Sequence, residues 1–370
     1  MEKKLKLSVH NLVDFLLRKG SIDTRVFNKS SMTEGSRIHA YYQKKQGDNY
    51  LSEYYLEHTF LIDDFSITLQ GRADGIILFK NEVIIDEIKS TVIDLDVFAN
   101  EQGEWHIGQA KCYALMYGLE NDLKTVTIRM TYIHQGTDKK MIRQSTHSIV
   151  DLQQEIEDLM HRYIDFYNIV FRRTERRNQS SIALKFPFNS FRLGQKELAK
   201  YVYAIAKQGG TLFVEAPTGI GKTISTLYPF VKSFGDETTD KIFYLTAKNS
   251  GKEAAFQTMG ILKKKGLEAS VITITAKDKI CFNPGAGCNP DECPFAKDYY
   301  NKVNDVLKHA ILTSSTFDYE TITKFAFDAN ICPFEFELDL SLFTDVIICD
   351  YNYLFDPLVY MRRYFEESQG

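Results

Sequence analysis

Tryptophan is nearly missing: Trp105 is the only one among 370 residues. Long apolar runs are missing too. No stretch reaches the roughly 18 consecutive apolar residues that a spanning helix needs, and the opening MEKKLKLSVH lacks the apolar centre of a secretory signal. No membrane partner is expected, and a cytoplasmic, reducing compartment is the default, nucleoid-associated if the source is bacterial. Nor does one charge dominate. With 45 Lys and Arg against 49 Asp and Glu, the net charge is −4. Any nucleic-acid surface must therefore be a local patch. Cysteines number only six, and in a reducing compartment clustered ones read as metal or cluster ligands rather than disulfides. No internal repeat is visible. What remains is ordinary globular material: hydrophobic residues make up 44% and charged residues 25%, enough for real cores. The length suggests two or three domains.

A composition break lies at FRRTERRNQSSIALKFPFNSFR, residues 171–192. It follows a helical pattern and carries Arg172, Arg173, Arg176 and Arg177. It reads as a solvated linker or as a basic arm on a nucleic-acid backbone. The domain boundary is placed near residue 180. After it, APTGIGKT spans Ala216–Thr223. Ala216 stands where the consensus phosphate loop has Gly, but Gly219 and Gly221 still let the backbone turn N–H groups toward phosphate. Lys222 would reach the β/γ-phosphates of ATP and the Thr223 hydroxyl would meet Mg²⁺. TLFVE before it is expected as a strand and ISTLYPF after it as a helix. KIFYLTA, ASVITIT and DVIICD are further short apolar runs between helical patterns, which argues a parallel sheet with covering helices. EAPTGIGKT resembles the first motif of superfamily 2 helicases. FRLGQKEL upstream resembles their adenine-reading Q motif, with Arg192 and Gln195 as the binding residues. FYLTAKNSGKE stands where the next motif would, and the resemblance implies that Thr246 and Lys248 face single-stranded DNA.

CFNPGAGCNPDECPF, residues 281–295, packs three cysteines among three prolines and two glycines. Cys281, Cys288, Cys293 and Cys332 are separated by six, four and 38 residues. No C-x₂-C pair is present, so a zinc ribbon fits poorly, although zinc stays open. Unevenly spaced loop thiolates can wrap a larger object such as a cubane cluster. Pro284, Pro290, Pro294 and Pro333 are expected to keep these segments extended and non-helical. A phosphate loop, a three-cysteine loop, then ICPFE before DVIICDYNYLFDP resembles the XPD/DinG group of iron–sulfur DNA helicases. The resemblance implies that these four cysteines hold a [4Fe–4S] cluster. Cys112 and Cys349 have no counterpart and read as core thiols. The DEAH box and second motor domain of that group are not seen. Asp350 superficially fits a Walker B position, but the resemblance aligns its segment ahead of the DEAH box. The chain is therefore expected to be a fragment ending at Gly370, unable to unwind DNA by itself.

In the first 180 residues, Ser31 and Glu34 have capping-box spacing ahead of a helix. FSITLQGRADGIILFKNEVIIDEIKST alternates and reads as two or three strands. HIGQAKCYALMYG reads as a helix closed by Gly118, and KTVTIRMTYIH as another strand. A turn at Lys80-Asn81 would set Asp74 opposite Glu87, and a slip by one residue on each side opposite Lys89. Glu87 and Lys89 share one strand face and Asp86 points to the other. Two carboxylates and a lysine thus converge, which suits Mg²⁺ or Mn²⁺ and phosphodiester hydrolysis. The pattern resembles the PD-(D/E)xK nuclease core, with Ala73 in place of Pro. GSRIH with His39, and QAKCY with Gln109 and Tyr113, resemble its RecB-like branch. That branch implies His39, Asp74 and Glu87 as metal ligands, with Lys89, Gln109 and Tyr113 in the catalytic site.

The expected architecture is α/β throughout. Residues 1–180 would be a restriction-endonuclease-like α/β/α nuclease domain. Residues 181–370 would be part of a RecA-like first motor domain, with an iron–sulfur insertion around 276–335. The expected activity is metal-dependent DNA cleavage joined to an ATP-dependent helicase, acting on single-stranded DNA or DNA with single-stranded ends in repair or processing. A helicase whose nuclease-like domain only binds DNA is one alternative. A zinc-stabilised nucleic-acid scaffold is the other.

Overall fold

The strand at residues 83–91, buried through its middle, lies at the centre of the first half's sheet. In the computed structural model, which describes residues 3–26, 29–80, 82–137, 139–356 and 364, the chain divides into two units. The first takes residues 1–166 and 285–304, the second 167–284 and 305–369. The first runs β1 (Lys3–Ser8), α1 (Val9–Leu17), α2 (Lys29–Lys44), β2 (Tyr50–Ile62), β3 (Phe65–Leu78), β4 (Val83–Thr91), α3 (Leu95–Glu101), α4 (Gly103–Glu120), β5 (Thr125–His134), β6 (Lys140–Ser148) and the start of α5 (Ile149–Ala183). Its sheet has the order β1-β3-β4-β5-β6, with β2 paired to β3. Three of the pairings are antiparallel, while β1-β3 and β4-β5 are parallel. Ile84–Ile88 of β4 is buried on both faces, as a central strand covered by helices should be. Asp86 is therefore wholly buried, and it is satisfied. Arg129 meets it at 2.9 and 2.7 Å, Thr131 Oγ1 at 2.7 Å and Tyr50 Oη at 3.1 Å.

The β3–β4 ladder pairs Gly75 with Asp86 and Leu78 with Val83. That is the register set by a turn at Lys80-Asn81, and the slipped alternative is not taken. Two local expectations change. α2 begins at Lys29, two residues before Ser31; the Ser31 side chain lies outside the described residues. α4 passes Gly118 and ends at Glu120. Gly118 is there for packing: a Cβ would collide with Ile149. β1, β2 and β6 lacked a clear signal. β6 is mostly exposed, which removes the apolar alternation a strand shows.

The second unit continues with α6 (Gln195–Gln208), α7 (Lys222–Ser233), β7 (Ile242–Leu245), α8 (Asn249–Lys264), β8 (Val271–Thr273), α9 (Lys277–Ile280), α10 (Tyr299–Thr313), β9 (Thr316–Phe317), α11 (Tyr319–Asp328), α12 (Pro333–Ser341), β10 (Val346–Cys349) and α13 (Asn352–Phe355). Residues 299–304 of α10 belong to the first unit. The sheet order is β7-β10-β8-β9 and all its pairings are parallel. Leu227, Val231, Phe234, Met259, Leu262 and Val346 form its core.

Here too the structure departs from expectation. TLFVE, residues 211–215, is not a strand. A strand needs partners for its backbone groups, and no strand of this sheet pairs with it; Phe213 is left 93% exposed. Residues 171–183 are the end of α5, not a linker. Their arginines are largely used internally. Arg173 donates to Ile311 O, and Arg177, 5% exposed, donates to Asp240 O and Asp345 Oδ1 at 2.9 Å each. Arg176 approaches Glu268 at 3.7 Å. Pro333 does not keep its segment extended. It starts α12, with Cys332 as the N-cap, because proline at the first helical turn loses no hydrogen bond. Cys112 and Cys349 are buried core thiols, their pKa values pushed up to about 12 by burial.

Arg177→Ala should strip the largely enclosed Asp345 carboxylate, 15% exposed, of its buried cation. Urea unfolding should show a loss of about 3–5 kcal/mol, the range for breaking a buried pair on one side. A loss under about 1 kcal/mol, as for exposed pairs, would show that the pair is not needed.

Candidate active site

Four elements of the first unit send side chains to one patch. Asp74 lies on β3, Glu87 and Lys89 on β4, Gln109 and Tyr113 on α4 and His39 on α2. Where the β3–β4 ladder ends at Gly75 and Asp86, the Asp74 carboxylate takes the next backbone donor: Ile88 N–H gives to Asp74 Oδ2 at 2.7 Å. Glu87 and Lys89 share a strand face, and Lys89 Nζ donates to Glu87 Oε1 at 2.7 Å. The same ammonium donates to Gln109 Oε1 at 2.6 Å. His39 Nδ1 stands 3.7 Å from Asp74 Oδ1. One turn further along α2, Gln43 donates to Asp74 O at 2.9 Å and to Glu53 Oε1 at 2.8 Å. Tyr113 packs where β3 has no side chain. A Cβ on Gly71 would meet its hydroxyl at 2.8 Å.

The charges are uneven by design of place. Burial pushes Asp74 up, but the His39 bond and charge, the Lys89 charge and the Ile88 amide hold it below the ordinary carboxylate value. Burial dominates for Glu87. Lys89 opposes it and the Asp74 charge adds to it, and Glu87 is pushed up to about 7. Burial pushes Lys89 down, but Glu87 and Asp74 outweigh it and the ammonium is favoured. Glu87 Oε2 is buried without a hydrogen-bond partner. A buried carboxylate oxygen in that position calls for a proton or a cation.

Two oxygen-donor carboxylates and this orphaned oxygen fit Mg²⁺ or Mn²⁺, which bind through one or two carboxylates and leave other positions to water or phosphate. Among the described residues, no group of three or more His, Cys, Asp or Glu is close enough to hold an ion unaided.

The phosphate-loop residues form a second site, in the second unit. Gly219 and Gly221 take positive φ values of 85° and 86°, which only glycine adopts readily. Lys222 Nζ folds back to Ala216 O at 2.8 Å and Pro217 O at 3.3 Å. Gln195 is buried and donates to Ile220 O at 3.1 Å, and Arg192 donates to Gly219 O. A cavity of about 420 Å³ opens beside them, lined by Phe188, Arg192, Gln195, Gly221 and Thr223 among others. Thr246 and Lys248 bond to each other's neighbourhood, Lys248 N to Thr246 Oγ1 at 3.3 Å.

None of the six cysteines is in a disulfide. Cys288 and Cys293 belong to the first unit, Cys281 and Cys332 to the second. Within the first, Thr24 N donates to Cys288 O at 2.9 Å, and Cys293 N to Asn289 O at 3.0 Å. Asn289 and Glu292 brace this turn: the Glu292 carboxylate accepts from Asn289 Nδ2 and Gly287 N at 2.8 Å each. In the second, Cys281 caps α9 and its sulfur accepts from Asn283 N at 3.4 Å.

Residues 258–367 match the DEAD_2 family model. This stretch is similar to that family and makes up less than half of the chain. The DEAD_2 segment holds all four loop cysteines and lies after the phosphate loop. Among solved structures, an XPD helicase aligns with 19% identity and a TM-score of 0.33, covering 48% of this chain and 30% of its own length. The structure described as "Crystal structure of SSO0001" aligns with 16% identity and a TM-score of 0.28, covering 44% of this chain and 78% of its own. The chain spans 30% of the XPD helicase it matches. No curated protein matches it. No helix among the described residues is long and apolar enough to cross a membrane.

Sequence reasoning overlooked Gln43, Tyr50, His10 and Asp14. His10 and Asp14 had a readable signal, a one-turn i,i+4 spacing in SVHNLVDF. Gln43 is likewise one turn beyond His39.

Because the carboxylate is the metal-binding form, Mn²⁺ must displace a proton wherever Glu87 is protonated. Glu87 holds its proton up to about pH 7, so affinity should rise with pH below 7 and level off above it. Calorimetry in buffers of different ionisation enthalpy should find proton release at pH 6 and almost none at pH 8.5. Equal release at both values would contradict the assignment.

Proposed function

We propose that the chain is a metal-dependent DNA nuclease joined to part of an ATP-driven, iron–sulfur helicase motor. The observation that carries the nuclease half is the linked set of Asp74, Glu87, Lys89 and Gln109 in which one buried carboxylate oxygen, Glu87 Oε2, is left unsatisfied. Asp74 and Glu87, assisted by His39, would hold Mg²⁺ or Mn²⁺. Bound there, the ion supplies Lewis-acid polarisation of a phosphodiester and a more acidic water. Lys89 keeps a fixed positive charge beside the carboxylates, where negative charge develops on phosphate oxygens. Gln109 holds that ammonium in place, and Tyr113 closes the patch over Gly71.

The motor half rests on the DEAD_2 match and on the phosphate loop. Lys222 and Thr223 would serve ATP and its Mg²⁺, with Arg192 and Gln195 beside the base. The sequence resemblance to XPD/DinG helicases assigns Cys281, Cys288, Cys293 and Cys332 to a [4Fe–4S] cluster. Single-stranded DNA, or DNA with single-stranded ends, is the proposed substrate, in repair or processing. The composition break after residue 171 supports a domain division at about residue 180, and the resemblance a cluster insertion around 276–335.

With Mn²⁺, the parent chain should degrade end-labelled single strands, and Lys89→Ala should lower the rate by at least about 100-fold, as when a transition-state stabiliser is removed. Equal rates would leave a domain that only binds DNA. Protein purified without oxygen should carry a visible charge-transfer absorption that Cys288→Ser removes. A colourless, zinc-loaded preparation would overturn the iron–sulfur assignment.

A further inference from the structure

α1 reaches the same patch from outside the four expected elements. His10 Nδ1 lies 3.3 Å from Gln109 Nε2. Its other nitrogen, Nε2, lies 3.2 Å from Asp14 Oδ2, one turn along α1. The second Asp14 oxygen accepts from Trp105 Nε1 at 2.5 Å. A continuous chain of contacts thus runs Trp105, Asp14, His10, Gln109, Lys89, Glu87.

The proton positions along it follow from chemistry alone. An ammonium can only donate, so the Gln109 atom facing Lys89 must be its carbonyl oxygen. The atom facing His10 is then the NH₂ group, which also can only donate. His10 Nδ1 must therefore accept, and the ring proton sits on Nε2. That proton points at Asp14, a pure acceptor, whose other oxygen is engaged by the indole N–H. Each contact of the chain then joins a donor to an acceptor, in one arrangement only. Reversing the Gln109 amide would put its NH₂ against the Lys89 ammonium and its oxygen against His10. Deleting the His10 acceptor removes one of the two contacts that oppose that reversal and leaves Lys89 alone to hold the amide.

We infer that His10, oriented by Asp14, is a positioning residue that locks the amide orientation of Gln109 and through it the place of Lys89. This rests on the nuclease reading for its effect on rate, but not for the hydrogen-bond chain itself. His10 touches neither Asp74 nor Glu87 in this chain of bonds, and its side chain is 64% exposed, so replacing it leaves the core intact.

The test uses the full chain and two variants. His10→Ala removes the acceptor. His10→Asn returns an oxygen near the place of Nδ1. His10→Ala should lower the single-strand cleavage rate at saturating DNA by about tenfold, the lower end for loss of an outer-shell partner. KM for DNA, the Mn²⁺ dissociation constant and Tm should stay close to the parent's. His10→Asn should recover most of the rate. A His10→Ala rate equal to the parent's, or an Asn variant as slow as the Ala variant, would overturn the inference. A matching fall in Tm and Mn²⁺ affinity would overturn it too, showing a merely structural role.

Nitrogen-15 spectra of histidine-labelled protein address the chain without any cleavage. The His10 signals, assigned by their loss in His10→Asn, should show the neutral Nε2–H tautomer with Nδ1 accepting. An Nδ1–H tautomer, or a rapid mixture, would overturn the inference even if the chain cleaves DNA. If the parent proves inactive while this tautomer is found, the nuclease reading fails and the hydrogen-bond chain stands.

Discussion

One hydrogen bond sets the geometry of the first unit's site: the Ile88 amide to Asp74 Oδ2 at 2.7 Å. At the end of the β3–β4 ladder a carboxylate takes the backbone donor. This places an ionised group beside the central strand and stabilises its charged form. It also fixes Asp74 against Glu87, so burial and like charge fall on the second carboxyl. The result is one carboxyl held ionised and one held near neutrality. The Lys89 ammonium then bridges Glu87 and Gln109, which ties α4 to the strand. His39 does most to hold Asp74 in its charged form, ahead of Lys89 and the Ile88 amide, and Gln43 and Tyr113 close the frame.

The opposite face of β4 shows the contrasting solution. Asp86 is as buried as Glu87, yet Arg129, Thr131 and Tyr50 occupy its oxygens. It has nothing left to offer a ligand. Two adjacent acidic residues on one strand therefore differ completely in chemical availability. Satisfaction of hydrogen bonds, not burial, separates a structural carboxylate from one able to bind a cation. The second unit uses the structural form again in Arg177 and Asp345. Its phosphate loop is held in a comparable way, by Gln195 and Arg192 donating to loop carbonyls.

Much of this was legible in the residues. The turn at Lys80-Asn81 and strict two-residue alternation placed Asp74, Glu87 and Asp86 correctly relative to one another, because strand periodicity is rigid. The short apolar runs at Ile242–Leu245, Val271–Thr273 and Val346–Cys349 became parallel strands. Other features were hidden. TLFVE has strand composition but no pairing partner, and pairing is non-local. The arginines after residue 171 look like a solvated run, yet two are internal braces whose acceptors lie about 65 to 170 residues away. Gly118 and Pro333 were read by their commonest local roles, and packing against Ile149 and helix initiation replaced those roles.

The sequence alone determined which chemistry is on offer: carboxylates and a lysine at strand spacing, a glycine-rich turn ahead of a helix, and four cysteines in and after a proline-rich loop. These follow from local geometry, since spacing along a strand or helix dictates which side chains share a face. Only the tertiary structure decided which groups are left unsatisfied. That Glu87 keeps an empty oxygen while Asp86 does not, and that His10, held by Asp14, reaches Gln109 from 99 residues away, depends on elements distant in the chain. Desolvation and hydrogen-bond competition are properties of the packed interior, and no window of sequence contains them.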